Sequence, residues 1–169
     1  FAARFGIKEF DQPKALMLVY VALVFGDLSA GLLSNYLKSR KKTLFIFYGI
    51  TALFIFVFFV FKGGGSANNM YLISMGLGFG AGVSVMYITM SAEQFGTNLR
   101  ATAAISIPNL VRGFLPLILL FFQFVRSKNI FDNYITGAWV TGVVVLLLGF
   151  TAVIFTRESF GKDLDYTEQ

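Results

Sequence analysis

Residues 15–61 read ALMLVYVALVFGDLSAGLLSNYLKSRKKTLFIFYGITALFIFVFFVF. Two apolar runs, 15–37 and 43–61, flank a gap that holds Lys38, Arg40, Lys41 and Lys42. Each run is close to the ~20 residues that a helix needs to cross ~30 Å of hydrocarbon. The four cations in one short gap match the Lys/Arg excess that marks cytoplasmic connections. Three more runs of the same kind follow, at 70–91, 101–125 and 134–156. The expectation is an all-α integral membrane fold with five transmembrane helices bundled over 15–156, an external segment at 1–14 and a cytoplasmic tail at 157–169.

Composition points to the same class. Hydrophobic residues make up 56% of the 169 and charged residues 14%, against about a quarter charged in soluble domains. The formal charge of +5 lies in the gaps between runs instead of along one face, so it sets topology and implies no nucleic-acid partner. With no Cys and no His, disulfides, thiolate catalysis, histidine metal sites and Ser/His/Asp triads are excluded by inventory. No cofactor or metal is expected. An intramembrane enzyme needs a nucleophile with a base beside it, and the chain offers no such pair. The first run is too long and too late for a cleaved signal sequence. The chain begins at Phe1 instead of Met, and the expectation is a fragment of a longer protein.

Alternation from the basic gap places the N-terminal segment and Lys62-Gly63-Gly64-Gly65-Ser66 outside. It places 93–100 inside, 126–133 outside and the tail inside, with Lys62, Arg126 and Lys128 as the outer cations. Tyr36, Tyr71, Tyr87 and Tyr134 fall near run ends, where amphipathic rings anchor. The second run carries Phe45, Phe47, Phe54, Phe56, Phe58, Phe59 and Phe61 with hardly a polar atom, and is expected at the lipid-facing periphery. The third carries Gly76, Gly78, Gly80 and Gly82, two interleaved small-xxx-small pairs that let a neighbouring backbone approach; it is expected at the centre. The fifth, with Gly137, Gly142 and Gly149, reads as a packed outer helix.

Two charged side chains lie deep within runs, Asp27 and Arg112. At ~1.5 Å per residue each is ~15–17 Å from the cytoplasmic boundary, near the midplane. A charge there costs at least ~2.5 kcal/mol on insertion scales and by default marks a pathway, a proton relay or a ligand contact. The alternatives are a mutual ion pair or a protonated Asp27. Pro108 and Pro116 each remove a backbone donor from the fourth run, and broken membrane helices are tolerated where protein or a water-filled cavity satisfies the freed groups. That helix is therefore expected to line a cavity. Asn109, three residues before Arg112, shares its face, and Gly113 leaves space beside them. A guanidinium presents paired donors to carboxylate or phosphate oxygens, which makes Arg112 and Asn109 the candidate solute-binding residues. Asp27 is the candidate proton-coupling group, since a carboxyl in a low-dielectric site can exchange protons near neutral pH.

The loops carry a further pattern. Gly31-Leu32-Leu33-Ser34-Asn35-Tyr36-Leu37-Lys38-Ser39-Arg40-Lys41-Lys42 resembles the loop signature of the major facilitator superfamily. Glu93-Gln94-Phe95-Gly96-Thr97-Asn98-Leu99-Arg100-Ala101-Thr102-Ala103 resembles the stretch between the tenth and eleventh helices of its sugar and metabolite branches. The resemblance implies that the five runs are helices eight to twelve of a twelve-helix fold, a partial C-terminal bundle that lacks helix seven and the N-terminal half. Asn35 stands where the signature usually has Asp, and Tyr36 where it often has Arg, which weakens the ionic latch ascribed to that loop. Glu93 could reach Arg40 or Lys41, and Arg100 could bind carbonyls at a helix end, which makes Arg40, Lys41, Glu93 and Arg100 the candidate cytoplasmic gate. As exposed pairs these would contribute only ~0–1 kcal/mol and bias a conformation rather than hold the fold.

The resemblance implies a secondary carrier that moves a small polar solute, a sugar or an organic anion, by alternating access with possible proton symport, in a plasma membrane such as the bacterial inner membrane. A second reading is a small membrane scaffold whose polar residues hold partner helices. The expected partners are the lipid bilayer, the missing N-terminal half and the solute. Alone, five helices lack the second wall of the site, so the isolated chain is expected to be inactive and to self-associate through its exposed polar face.

Overall fold

The computed structural model describes residues 1–7, 10–127 and 134–161, and every regular element among them is helical. Lys8, Glu9, Lys128, most of the connection at 126–133 and the tail beyond Gly161 lie outside the described residues. After a short 3-10 turn at Ala2–Phe5, α1 spans Gln12–Leu37, with Pro13 in the first turn where a missing N–H goes unnoticed. It stops at Lys38, whose φ of 48° is left-handed. The Ser39 hydroxyl accepts from the Lys42 N–H at 3.1 Å; this N-cap starts α2, Arg40–Val60, inside the basic gap. Gly63, Gly64 and Gly65 all take positive φ, which turns the chain into α3, Ala67–Ala81, capped by Ser66.

The third apolar run is two helices, α3 and α4 (Ser84–Glu93), interrupted at Gly82 and Val83. The fourth is also two, α5 (Thr97–Gly113) and α6 (Leu115–Ser127), interrupted at Phe114. Pro116 explains that second break, since it offers no N–H to the Arg112 carbonyl four residues back; Pro108 stays inside α5, buried, and the helix continues through it. The last helix is α7, Tyr134–Phe155. Taken across the breaks, five helical stretches among the described residues are long and apolar enough to cross a membrane: Gln12–Leu37, Arg40–Val60, Ala67–Glu93, Thr97–Arg126 and Tyr134–Phe155.

The α3 helix lies between α1 and α2, and its glycines divide the work. A Cβ on Gly78 or Gly82 would collide with the α1 backbone at Val19 and Gly26, whereas one on Gly76 or Gly80 would collide with Phe54 and Thr51 of α2. Each small-xxx-small pair thus serves a different neighbour. The core proper gathers Ala30, Leu44, Phe47, Met86, Met90 and Val153.

The expectation that the second run is peripheral is overturned. The α2 helix packs against α1, α3, α4 and α7; Phe47 is 1% exposed and stacks on Phe79 at 5.5 Å. A helix that is apolar all round carries no polar stripe to mark its outer side, so composition could not separate lipid from protein neighbours. The outlying element is α5–α6 instead, where Leu110, Val111, Phe114, Leu115 and Leu117 are all exposed.

Candidate functional site

At the basic end, short connections bring the starts and stops of α1, α2, α4 and α7 together. The Arg40 guanidinium donates to Glu93 at the end of α4, Nη2 to Oε1 at 2.8 Å, and through Nη1 to the Ser34 hydroxyl at 2.8 Å. Both partners of the ion pair are mostly covered, with side chains 15% and 14% exposed. The expectation of a solvent-exposed, low-value pair is therefore corrected: in this setting desolvation matters, and removing one partner leaves the other stranded.

Segment 157–161, just past α7, completes the cluster. The Ser159 hydroxyl donates to Glu93 Oε2 at 2.6 Å, and Ser159 is 1% exposed. The carboxylate of Glu158 sits on the start of α2, where it accepts from the Ser39 hydroxyl, the Arg40 N–H at 2.9 Å and the Lys41 N–H at 3.3 Å. A carboxylate at a helix N-terminus meets free N–H groups and the positive end of the dipole. Partial burial alone would raise the Glu158 carboxyl, but hydrogen bonds from Ser39, Phe160, Arg40 and Lys41 outweigh it and hold the group below the usual glutamate range. The Arg40 guanidinium also lies 5.1 Å over the Phe160 ring.

Of the expected gate residues, Arg40 and Glu93 meet directly. Lys41 does not reach Glu93; its ammonium donates to the Ile154 carbonyl in the last turn of α7 at 2.7 Å. Arg100 lies half-buried in the first turn of α5. Asn35 contributes only a 3.5 Å contact to Arg40, and the carboxylates that Arg40 meets are those of Glu93, at its side chain, and Glu158, at its backbone N–H. Sequence reasoning passed over Ser34, Ser39, Glu158 and Ser159. Ser39, directly before a basic helix start, carried an N-cap signal that could have been read; Glu158 and Ser159 carried none, since their partners lie more than sixty residues away.

Halfway along α1, Asp27 is half-buried and accepts from the Ser84 hydroxyl at 3.0 Å. Ser84 is the first residue of α4, directly after the break, and the Gly26–Gly82 backbone contact holds the two helices together one residue from Asp27. The fourth stretch behaves differently. Arg112 and Asn109 are exposed, and Arg112 Nη1 donates to Asn109 Oδ1 at 3.4 Å. Asp27 and Arg112 form no ion pair, which removes that alternative. The fourth stretch does line cavities, as expected of it, through Ile107, Ile118 and Phe122, and Arg112 and Asn109 border neither of these two. Among the described residues, no group of His, Cys, Asp or Glu could hold a metal ion.

No family model matches the chain, and neither a curated protein nor a solved structure matches it.

Proposed function

We propose that this chain is an integral membrane protein with its basic end in the cytoplasm, and that it forms one wall of a secondary carrier of the major facilitator kind for a small polar solute. The observation that carries this reading is the Asp27–Ser84 contact: a titratable carboxyl at mid-span, hydrogen-bonded to the first residue after a helix interruption. Interrupted helices with polar groups near the midplane are how carriers build solute and ion sites. In this reading Asp27 couples the proton. Arg112 and Asn109, on the outward side of α5, turn toward the other half of the carrier and meet the solute there. The cluster of Arg40, Glu93, Glu158 and Ser159 is the cytoplasmic gate, closed in this conformation.

The test uses the protein read from its complete gene, in proteoliposomes with an imposed pH gradient, offered a panel of radiolabelled sugars and carboxylates. Asp27→Asn abolishes pH-driven accumulation and spares exchange of the transported compound. Unchanged accumulation by Asp27→Asn contradicts the coupling role. The scaffold reading draws on one observation, the exposure of Arg112, whose guanidinium bonds Asn109 of its own helix. Arg112→Ala separates the two: a carrier keeps its assembly and loses flux, whereas a scaffold loses assembly.

A further inference from the structure

Two opposite charges sit mid-span, and each meets a neutral partner. Asp27 accepts from the Ser84 hydroxyl at 3.0 Å, and Arg112 Nη1 donates to Asn109 Oδ1 at 3.4 Å. Every other charged residue of the five stretches lies in a first or last turn, and α7 carries none. The helices packed on α1 are α2, α3 and α4, and they bring no second charge to Asp27. Along their lengths the titratable groups are Tyr48 of α2, Tyr71 of α3 and Tyr87 of α4, phenols that are neutral at physiological pH. The cations of α2 lie at its start, and Glu93, ~13 Å past Ser84 along α4, pairs with Arg40 there. On α1 itself the other titratable groups are Lys14 in the first turn, Tyr20 and Tyr36.

These two groups set the charge that the site tolerates. With both ionised, the mid-span sum is zero. A proton taken up by Asp27 removes the negative charge and leaves the Arg112 guanidinium with no carboxylate beside it among the described residues. When the site closes off from water, a lone charge in low-dielectric surroundings is strongly disfavoured. A solute bearing one negative charge restores the sum to zero. A neutral sugar leaves one positive charge uncompensated, and a dianion leaves one negative. The guanidinium has five N–H donors in a fork that matches a carboxylate, and Asn109 engages one of its nitrogens.

We infer that the solute is an organic monocarboxylate, held by Arg112 through its carboxylate, and that each molecule crosses with one proton on Asp27 and no net movement of charge. The inference rests on the carrier reading above and narrows it from sugars and organic anions to monoanions. No covalent bond of the solute changes: the proton passes from water on one side to the Asp27 carboxylate and from there to water on the other.

The protein read from its complete gene is reconstituted in proteoliposomes and offered two radiolabelled series whose members carry no charge, one negative charge or two: glucitol, gluconate and glucarate, and erythritol, erythronate and tartrate. With the potential clamped at zero by potassium and valinomycin, a gradient of one pH unit accumulates gluconate or erythronate about tenfold, the limit for one proton per solute. The neutral and dianionic members enter at least tenfold more slowly. A potassium diffusion potential without a pH gradient changes the initial rate of monoanion uptake less than twofold. Arg112→Gln lowers that uptake at least tenfold and leaves the thermal unfolding midpoint unchanged, and Arg112→Lys, which keeps the charge, recovers part of the rate. Preferred uptake of a neutral or dianionic member, or a monoanion flux driven by the potential alone, overturns the inference and leaves the carrier reading standing. Where the wider panel of sugars and carboxylates supplies the transported compound instead, its charge and its response to the potential decide in the same way. Accumulation of no compound at all refutes the carrier reading itself, and the inference with it.

Discussion

The third and fourth apolar stretches are both interrupted near their middles, and the two interruptions do opposite things. In the third, glycine makes the break: Gly82 lets the backbones of α1 and α3 touch, and the first residue beyond it, Ser84, bonds Asp27. In the fourth, proline makes the break, and the residues around it, from Asn109 to Leu117, lie open to the surroundings. A missing side chain draws a neighbour in. A missing backbone donor frees a carbonyl and bends the helix without supplying anything to pack against. Polar groups beside the break are thus held between helices in the third stretch and exposed in the fourth.

The comparison fails first, if it fails, at the glycines. Gly82→Leu forces side-chain atoms into the Gly26 backbone, and the loss in detergent stability lies at or above the ~1–3 kcal/mol typical of overpacking. Gly113→Leu, its counterpart at the other break, meets no atom within 4 Å and stays within about 0.5 kcal/mol of wild type. Equal losses from the two, read by thermal unfolding, would erase the distinction. Next in size is Glu93→Gln at the end of the third stretch, which weakens the Arg40 pair and costs about 2 kcal/mol in the same assay. Ser84→Ala removes the one hydroxyl bond to Asp27 and costs about 1 kcal/mol; Ser106→Ala, exposed on α5, costs nothing measurable.

The smallest effect is set by pH. The Glu158 carboxyl is held low in the folded chain, so its contribution is fully present above the unfolded glutamate value of ~4.3 and is lost as pH falls through the lower folded value. Hydrogen exchange at the Arg40 and Lys41 amides reads this directly: protection persists at the ordinary glutamate value of ~4.3 and fades only at more acid pH. In Glu158→Gln that fading is absent. Fading that begins near neutral pH would assign the protection to another group.

The number and limits of the apolar stretches were legible because run length is a nearly sufficient signal when charges are so sparse. The paired glycines were equally plain, since a two-residue offset along one helix sends the pairs to different faces. What was hidden is everything decided by distant neighbours. Nothing in the phenylalanines of α2 says whether they meet lipid or Phe79 and Phe150. Nothing in Arg112 says which way it turns, because helical phase fixes its angle to Asn109 and not to the rest of the bundle. Ser159 looked like part of a polar tail, and its burial against Glu93 follows from where α7 ends relative to α4.

Every role proposed for these residues requires that the helices cross the bilayer with the basic end inside. The chain contains no cysteine, so single replacements report without background. Lys42→Cys at the start of α2 and Asn68→Cys at the start of α3, both at exposed positions, are treated in intact cells with a membrane-impermeant maleimide. The expected result is labelling of Asn68→Cys in intact cells and of Lys42→Cys only after permeabilisation. Labelling of both from the same side would mean that α2 does not cross, and the account would be wrong.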